Sequence, residues 1–325
     1  MPIPAAVAHG GAGAGPHRKP NIEAAVDIAS TILQSGGNAL EAAIESCAAL
    51  EDDPVFNAGT GSVFRTDGSV LLDASIQTSD GRMGFIVSVE ETPNPIRLAA
   101  DLLDENINGL AGKGARIWAD DRGLPRGHVE GRPPNEEVSD TVGVLTRDKN
   151  GMIVCATSTG GCSYRPPGRV GDVPLPGCGF WVQEGVGIGA TGIGEAITRA
   201  LISFRVAERF LSGSGMRESM QWALDELVEE GAEVILISGP VNLNRPNKAY
   251  FYNIKTAQDM YEKVMHHIKG SDIYIGAAAV SDFSPSSIKS RKIKKNSKGA
   301  SINLKMKENK DILLEVSRLK KKPFL

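Results

Sequence analysis

The sequence predicts an α/β fold laid out in two segments of different character. Two observations carry this. Stretches with apolar residues at helical spacing alternate with short apolar, β-branched runs from Val7 to Ala279. The composition also changes along the chain: residues 1–210 are rich in Gly, Ala and Val, whereas lysine dominates from Lys289 to Lys322. A length of 325 residues admits one large domain or two medium ones.

Val7 begins a short strand that runs into His9-Gly10-Gly11-Ala12-Gly13. Asn21 to Gln34 reads as a helix with Ala24, Ala25, Ile28 and Ile32 on one face, stopped by Gly36-Gly37. Asn38 caps the next helix, and Glu41 completes a capping-box pattern. Phe56 to Asp73 reads as a turn followed by hairpin strands, and Ile86 to Val89 as a strand. Pro95 opens a helix to about Leu103. Leu110 to Pro134 is polar and rich in Gly and Pro, so it reads as a loop or linker. Strands are expected at Thr141–Leu145, Ile153–Ser158 and Val186–Ala190. Glu195 to Phe210 reads as one helix with Ile197, Ala200, Leu201, Phe204 and Ala207 inward, and Arg217 to Glu229 as another. Beyond it, Ala232–Ser238 and Ile273–Ala279 read as strands around a helix at Thr256–Ile268.

Bulk composition excludes several classes of function. A net charge of -3 gives no field that would select nucleic acid or an anionic membrane. No apolar stretch approaches the roughly 20 residues needed to span a bilayer. The start lacks a basic region and a long apolar run, so no secretory signal is expected. The four cysteines, Cys47, Cys155, Cys162 and Cys178, form no C-x-x-C pair and read as reduced thiols of a cytoplasmic protein. The five histidines are scattered, which argues against a metal site built on them.

The chemistry gathers around Thr141. A polar loop ends in Asp140-Thr141 and a strand begins at once. Taken alone, this threonine is a β-former starting a strand. It also fits a nucleophile exposed by self-cleavage. A free α-amine titrates near ~7.7–8, so it can serve as general base for the hydroxyl of its own residue. Three downstream segments favour the second reading: Thr157-Ser158-Thr159-Gly160-Gly161, then Pro167-Gly168-Arg169-Val170-Gly171-Asp172, then Thr191-Gly192-Ile193-Gly194-Glu195.

With HGGAG at His9, FNAGTGSVFRTDG at Phe56 and SDTVGVL at Ser139, these pieces form an ordered set. From residue 3 to about 229 the chain resembles the plant-type L-asparaginase and isoaspartyl-peptidase family, which also includes glycosylasparaginase. The resemblance implies an αββα four-layer N-terminal-nucleophile sandwich. It implies that Thr141 is the nucleophile, released by cleavage of the Asp140–Thr141 bond into an α chain (1–140) and a β chain from 141. By the same resemblance, Thr159 hydrogen-bonds near the Thr141 amine or hydroxyl, Arg169 grips the substrate α-carboxylate, and Asp172 holds its α-ammonium. Thr191 and Gly192 form the oxyanion hole, while Asn57, Gly194 and the Gly10-Gly11 backbone line the site. No cofactor is required. The resemblance adds a structural sodium ion on the backbone carbonyls of Leu50, Glu51, Asp53, Phe56, Ala58 and Thr60. It also implies a homodimer of cleaved αβ units acting on a small-molecule or dipeptide substrate.

The individual residues have plainer readings. Arg169 and Asp172 are three apart and fit a surface ion pair. Gly192 and Gly194 fit a helix entry. Gly187-x-Gly189-x-x-Gly192 fits a dinucleotide loop but lacks a βαβ context.

Residues 230–325 resemble an internal piece of phosphopantothenoylcysteine synthetase, the ligase half of the bifunctional coenzyme A enzyme. By that match, Ala277–Asp282 and Lys292–Lys295 correspond to its nucleotide and catalytic segments, with Asp282 toward the nucleotide and Lys292 as the catalytic lysine. The implied fold is a partial three-layer, Rossmann-like α/β fragment. The ligase's glycine-rich opening half has no counterpart, so the segment reads as a fusion, a chimera or a gene-assembly junction, without CTP-dependent ligase activity. Glycosylasparaginase and that ligase are the alternative functions. The lysine run carries no interleaved aromatics of the kind that stack on nucleic-acid bases.

Overall fold

The computed structural model describes residues 2–12, 18–133, 141–229, 235–239 and 250–269, then 271, 274, 280, 281, 283–286 and 305–319. The chain divides into two compact units, with the boundary between Glu233 and Val234.

Among the described residues of the first unit, six strands form one mixed sheet. They are β1 (Ala5–His9), β2 (Leu72–Thr78), β3 (Met83–Val89), β4 (Gly109–Ala111), β5 (Val142–Arg147) and β6 (Ile153–Thr159), in spatial order β1-β5-β6-β2-β3-β4. Only β3 and β4 pair in parallel. One face of the sheet carries Ala74, Ile76, Ile86, Val142, Val144, Val154 and Ala156. This face packs against α1 (Lys19–Gln34), α2 (Ala39–Asp52) and α3 (Pro95–Asp101). Each fully buried Leu, Ile or Phe there stabilises the fold by roughly 1.5–3 kcal/mol.

Because side chains alternate along a strand, the intervening residues face the other way. Leu145, Ile153 and Cys155 meet Phe180 and Val182 of β7 (Phe180–Gln183). That strand forms an antiparallel hairpin with β8 (Val186–Gly189). Helix α6 (Ile202–Leu211) packs in turn on β7 and β8, and α7 (Met216–Glu229) lies against α6.

Several expectations need correction. The buried face of α1 is Ala25, Ala29 and Leu33, with Ala24 and Ile28 exposed, because small alanines let the helix approach closely. Asn38 does accept a bond from Glu41 N (2.8 Å), but the reciprocal half of the capping box is absent among the described residues. Residues 56–71 form no hairpin strand; a 3₁₀ turn at Gly59–Gly61 and a single bridge at Val63 precede β2. The expected linker after Leu110 contains α4 (Gly112–Asp121), whose helical period was hidden by Gly112, Gly114 and a run of charges. The helix expected from Glu195 to Phe210 is two: α5 (Gly194–Ala200) and α6, separated by Leu201 at φ 49. Leu201 is consequently exposed rather than inward. The β7 strand was not anticipated.

In the second unit β9 (Ile235–Ser238) and β10 (Tyr250–Asn253) pair in parallel. Helix α8 (Ala257–His267) starts with a full capping box between Thr256 and Asp259. Beyond it, β11 (Phe283–Pro285) pairs antiparallel with β12 (Met306–Glu308), and α9 (Ile312–Ser317) comes last. Ile254, Met260, Val264, Ile268, Ile312 and Val316 form its core. The strand expected at Ile273–Ala279 falls largely outside the described residues. No described helix is long and apolar enough to cross a membrane.

The Asn38 cap yields a direct test: Asn38→Ala should lower unfolding free energy by about 1 kcal/mol in a urea titration, with no change in slope.

Candidate active site

Strand register builds the centre of the site. Val142 of β5 stands opposite Ser158 of β6, which sets Thr141, immediately before β5, beside Thr159 at the end of β6. Thr141 is buried, and its Oγ1 donates to Thr159 Oγ1 at 3.5 Å. Gly161 N donates to the same oxygen at 3.0 Å. With two bonds accepted, the Thr159 hydroxyl keeps its own proton to donate.

Alternation then decides what surrounds this pair. Thr157 and Thr159 share the hairpin-facing side of β6 with Cys155, and their cross-strand partners on β2 are Ser75 and Asp73. Two of these buried polar groups, Ser75 and Thr157, are bonded to each other. Ser75 Oγ donates to Val173 O (2.8 Å), so the 2.6 Å contact with Thr157 Oγ1 is one in which Thr157 donates. Gln77 Oε1, further along β2, accepts from Val182 N (2.9 Å). A strand buried along its whole length thus carries Asp, Ser and Gln at every second position, facing the space between sheet and hairpin.

The turn after β6 is fixed from below. Asn57 Nδ2 donates to Gly161 O (2.6 Å), Asn57 Oδ1 accepts from Val63 N (3.0 Å), and Asn57 O accepts from Gly160 N (2.8 Å). The Asn57 amide therefore holds backbone at both ends. Gly161 sits at φ +81, and a Cβ there would press on the Arg65 guanidinium, 2.5 Å from Nη2. Arg65 is fully buried; its Nη2 donates to Leu71 O (3.3 Å) and lies 3.9 Å from Asp73 Oδ2. Asp73 Oδ1 accepts from Ser88 N (2.7 Å). Burial outweighs these partners and pushes the Asp73 carboxyl up to about 6.

Arg169 and Asp172 meet around Gly194. A Cβ on Gly194 would lie 2.7 Å from Asp172 Oδ1 and 2.9 Å from Arg169 Nη2. The surface-pair alternative does not hold. Asp172 is only 6% exposed, and Arg169 bonds instead to Glu195, Nε to Oε1 at 3.1 Å and Nη2 to Oε2 at 2.9 Å. Asp172 Oδ2 has no hydrogen-bond partner among the described residues, and burial pushes this carboxyl up to about 6. Thr191 and Gly192 follow β8 after the single residue Ala190, both half-buried. Because β8 belongs to an antiparallel hairpin, the dinucleotide-loop alternative lacks the parallel unit it needs.

Sequence reasoning passed over four residues: His9, Arg65, Asp73 and Glu195. His9 pairs with Gly143 across β1–β5, and a Cβ on Gly143 would collide with its ring. Burial lowers its pKa to about 4, against a smaller raising effect from the Thr141 backbone, so the imidazole is neutral at pH 7. Gly11 N donates to His9 Nδ1 (3.2 Å). Arg65 lies within FNAGTGSVFRTDG and Asp73 in the strand after it, whose signal is a buried-type strand with polar residues at period 2.

The loop expected to hold sodium offers free carbonyls at Leu50 and Glu51. Leu50 and Glu51 lie in the last turn of α2, where carbonyls lack helical partners. Pro54 has no N–H to offer Leu50, and Val55 N donates to Asp53 Oδ1 (3.0 Å) instead of to Glu51. The Asp53 and Ala58 carbonyls accept from Phe56 N and Gly61 N. Unbonded carbonyl oxygens suit a hard cation. Among the described residues no group of three His, Cys, Asp or Glu side chains comes together to hold a metal ion. Asp140, Asp282 and Lys292 lie outside the described residues.

Comparison with known proteins places the chain in a family. The family model described as Asparaginase matches residues 3–131 and 126–262. A plant-type L-asparaginase of Pyrobaculum calidifontis is 34% identical over 252 residues, covering 67% of this chain and 84% of the relative. An isoaspartyl peptidase/L-asparaginase of Danio rerio is 33% identical over 257 residues, covering 70% and 82%. The chain belongs to the asparaginase family.

A second family model, the DNA/pantothenate metabolism flavoprotein C-terminal domain, matches residues 215–325. The C-terminal domain of the coenzyme A biosynthesis bifunctional protein CoaBC is 31% identical, covering 34% of this chain and 49% of that one. Its TM-score of 0.27 is too low to establish a shared fold. The asparaginase match runs past Glu229 and the flavoprotein match starts before 230, so the two overlap across 215–262.

The Gly161 contact gives a stability test. Gly161→Ala adds a side chain at positive φ against a buried guanidinium, and should cost about 2 kcal/mol, read as a lower urea midpoint.

Proposed function

We propose that this chain cleaves itself between Asp140 and Thr141 and then hydrolyses the side-chain amide of asparagine or the isopeptide bond of isoaspartyl dipeptides. The observation that carries the reading is the buried Thr141 hydroxyl, held at the head of β5 by Thr159. The names of its relatives, isoaspartyl peptidase/L-asparaginase, point to the same substrates.

In the first step Thr141 Oγ1 attacks the Asp140 carbonyl carbon, and the peptide bond becomes an ester as the nitrogen takes up the proton. Water then opens the ester, leaving the Asp140 carboxylate and a free Thr141 amine. In turnover that amine draws the proton from Oγ1, which attacks the substrate amide carbon. Thr191 and the Gly192 N–H stabilise the tetrahedral oxyanion. Ammonia or an amine leaves with the proton, and water releases aspartate from the Thr141 ester. Arg169 takes the α-carboxylate and Asp172 the α-ammonium. The unpartnered Asp172 Oδ2 supports that last assignment, because a buried carboxylate oxygen without a donor awaits a cation.

A sodium ion on Leu50, Glu51, Asp53, Phe56, Ala58 and Thr60 would brace the loop that ends in Asn57, with no part in the chemistry. The succession of helices, six-stranded sheet, β7–β8 hairpin and α6 supports a four-layer αββα reading. A homodimer of cleaved units, domains at 1–229 and 230–325, and a cytoplasmic location complete the proposal; four free thiols support the last.

Two outcomes test it. After incubation, wild-type protein should resolve into two chains on denaturing electrophoresis, whereas Thr141→Ala should stay a single 34.4 kDa band. The same variant should lose more than about 10³-fold in asparagine hydrolysis. Second, Asp172 must be ionised to hold an ammonium, and its carboxyl titrates at about 6. The KM for asparagine should therefore be flat above that pH and rise as pH falls through it. A KM independent of pH between 5 and 7 would remove Asp172 from the ammonium site.

A further inference from the structure

We propose that Glu195 is a positioning residue, fixing one edge of the Arg169 guanidinium so that the other edge meets the substrate α-carboxylate. The inference rests on the reading of Arg169 as the carboxylate grip.

The geometry is specific. A guanidinium offers two edges on which a carboxylate can make paired bonds: Nε with Nη2, and Nη1 with Nη2. Glu195 takes the first, at 3.1 and 2.9 Å. Nη1 and the outer proton of Nη2 remain for a second carboxylate. Nη2 borders the Gly194 backbone next to Asp172 Oδ1, and Nη1 borders Gly171, the residue before Asp172, so this free edge and the carboxylate for the ammonium lie side by side. An α-amino acid presents its two charges on one carbon and fits such a pair. Arg169 reaches this place on a long side chain that is 11% exposed. Without a partner on the first edge the guanidinium swings among rotamers, and either edge faces the substrate.

Glu195 also has a second cation close by. Arg165 Nη2 lies 3.8 Å from Oε1, on a half-exposed side chain. The hydrogen bonds from Arg169, chief among several causes, hold the Glu195 carboxyl below the usual range, so it stays ionised across the working pH. Glu195 reaches the substrate only through Arg169. Self-cleavage involves Asp140 and Thr141 and has no α-carboxylate to grip, so it does not call on this pair.

The test uses the full chain, with Glu195→Gln and Glu195→Asp beside wild type. Aspartate, the zwitterionic product, is titrated calorimetrically, and asparagine kinetics and self-cleavage are followed in parallel. In Glu195→Gln the Kd for aspartate and the KM for asparagine should each rise about tenfold, kcat should fall less than about threefold, and self-cleavage should run at the wild-type rate. Glu195→Asp keeps the charge on a shorter arm and should recover part of the affinity. The proposal is overturned if Glu195→Gln binds aspartate as wild type does, if kcat falls while KM stays, or if both variants lose self-cleavage. Wild-type protein that fails to bind aspartate would remove the reading of Arg169 itself, and this inference with it.

Discussion

Val142 and Ser158 face each other across the β5–β6 ladder, and the rest of the site depends on that register. A slip of one residue in either strand would turn Thr159 toward the helices and leave Thr141 beside an apolar surface. The register is held from both sides. Val142, Val144, Val154 and Ala156 are packed under α1–α3, while Leu145, Ile153 and Cys155 are covered by the β7–β8 hairpin. A strand pair buried on both faces cannot slide without exposing apolar surface. Thr141 is therefore positioned by core packing, and the polar groups near it refine a place already set.

Around that place the molecule gathers charge in a buried setting. Arg65 and Asp73 lie beneath the turn after β6, and Arg169, Asp172 and Glu195 lie around Gly194. The Asp73 carboxyl is influenced by Arg65 and Arg169, and the Asp172 carboxyl by Arg169, Glu195 and Asp73, so the five behave as one electrostatic set. Two cations face three anions.

The centre was legible in the sequence because its chemistry is compressed into short ordered pieces. Thr141, Thr159, Arg169 and Asp172 sit in motifs a few residues long, and the fold brings Thr141 to Thr159 through one hairpin-like strand pair. The features that escaped depend on contacts distant in sequence. Glu195 was legible only as a helix opener, since nothing local says that it reaches back to Arg169 across 26 positions. His9 was legible as part of a glycine-rich strand end, and its burial against Gly143 needs the β1–β5 pairing. The α4 helix was misread because glycines at its start and charges along it resemble a linker. The break at Leu201 leaves no mark, because leucine seldom adopts a left-handed conformation and tertiary packing imposes it here.

The contact between Gly161 and Arg65 links positions that would otherwise vary separately. A long side chain at 65 demands the absence of one at 161, and the guanidinium in turn is the cation nearest the buried Asp73. A smaller neutral residue at 65 would relieve the steric contact at 161, where the positive φ still opposes alanine, and it would strand a carboxylate in the core. The three sites therefore form a unit of substitution. Any homologue or redesigned variant that changes one of them is expected to have changed the others, and a redesign that treats them independently will meet a steric conflict or an orphaned charge.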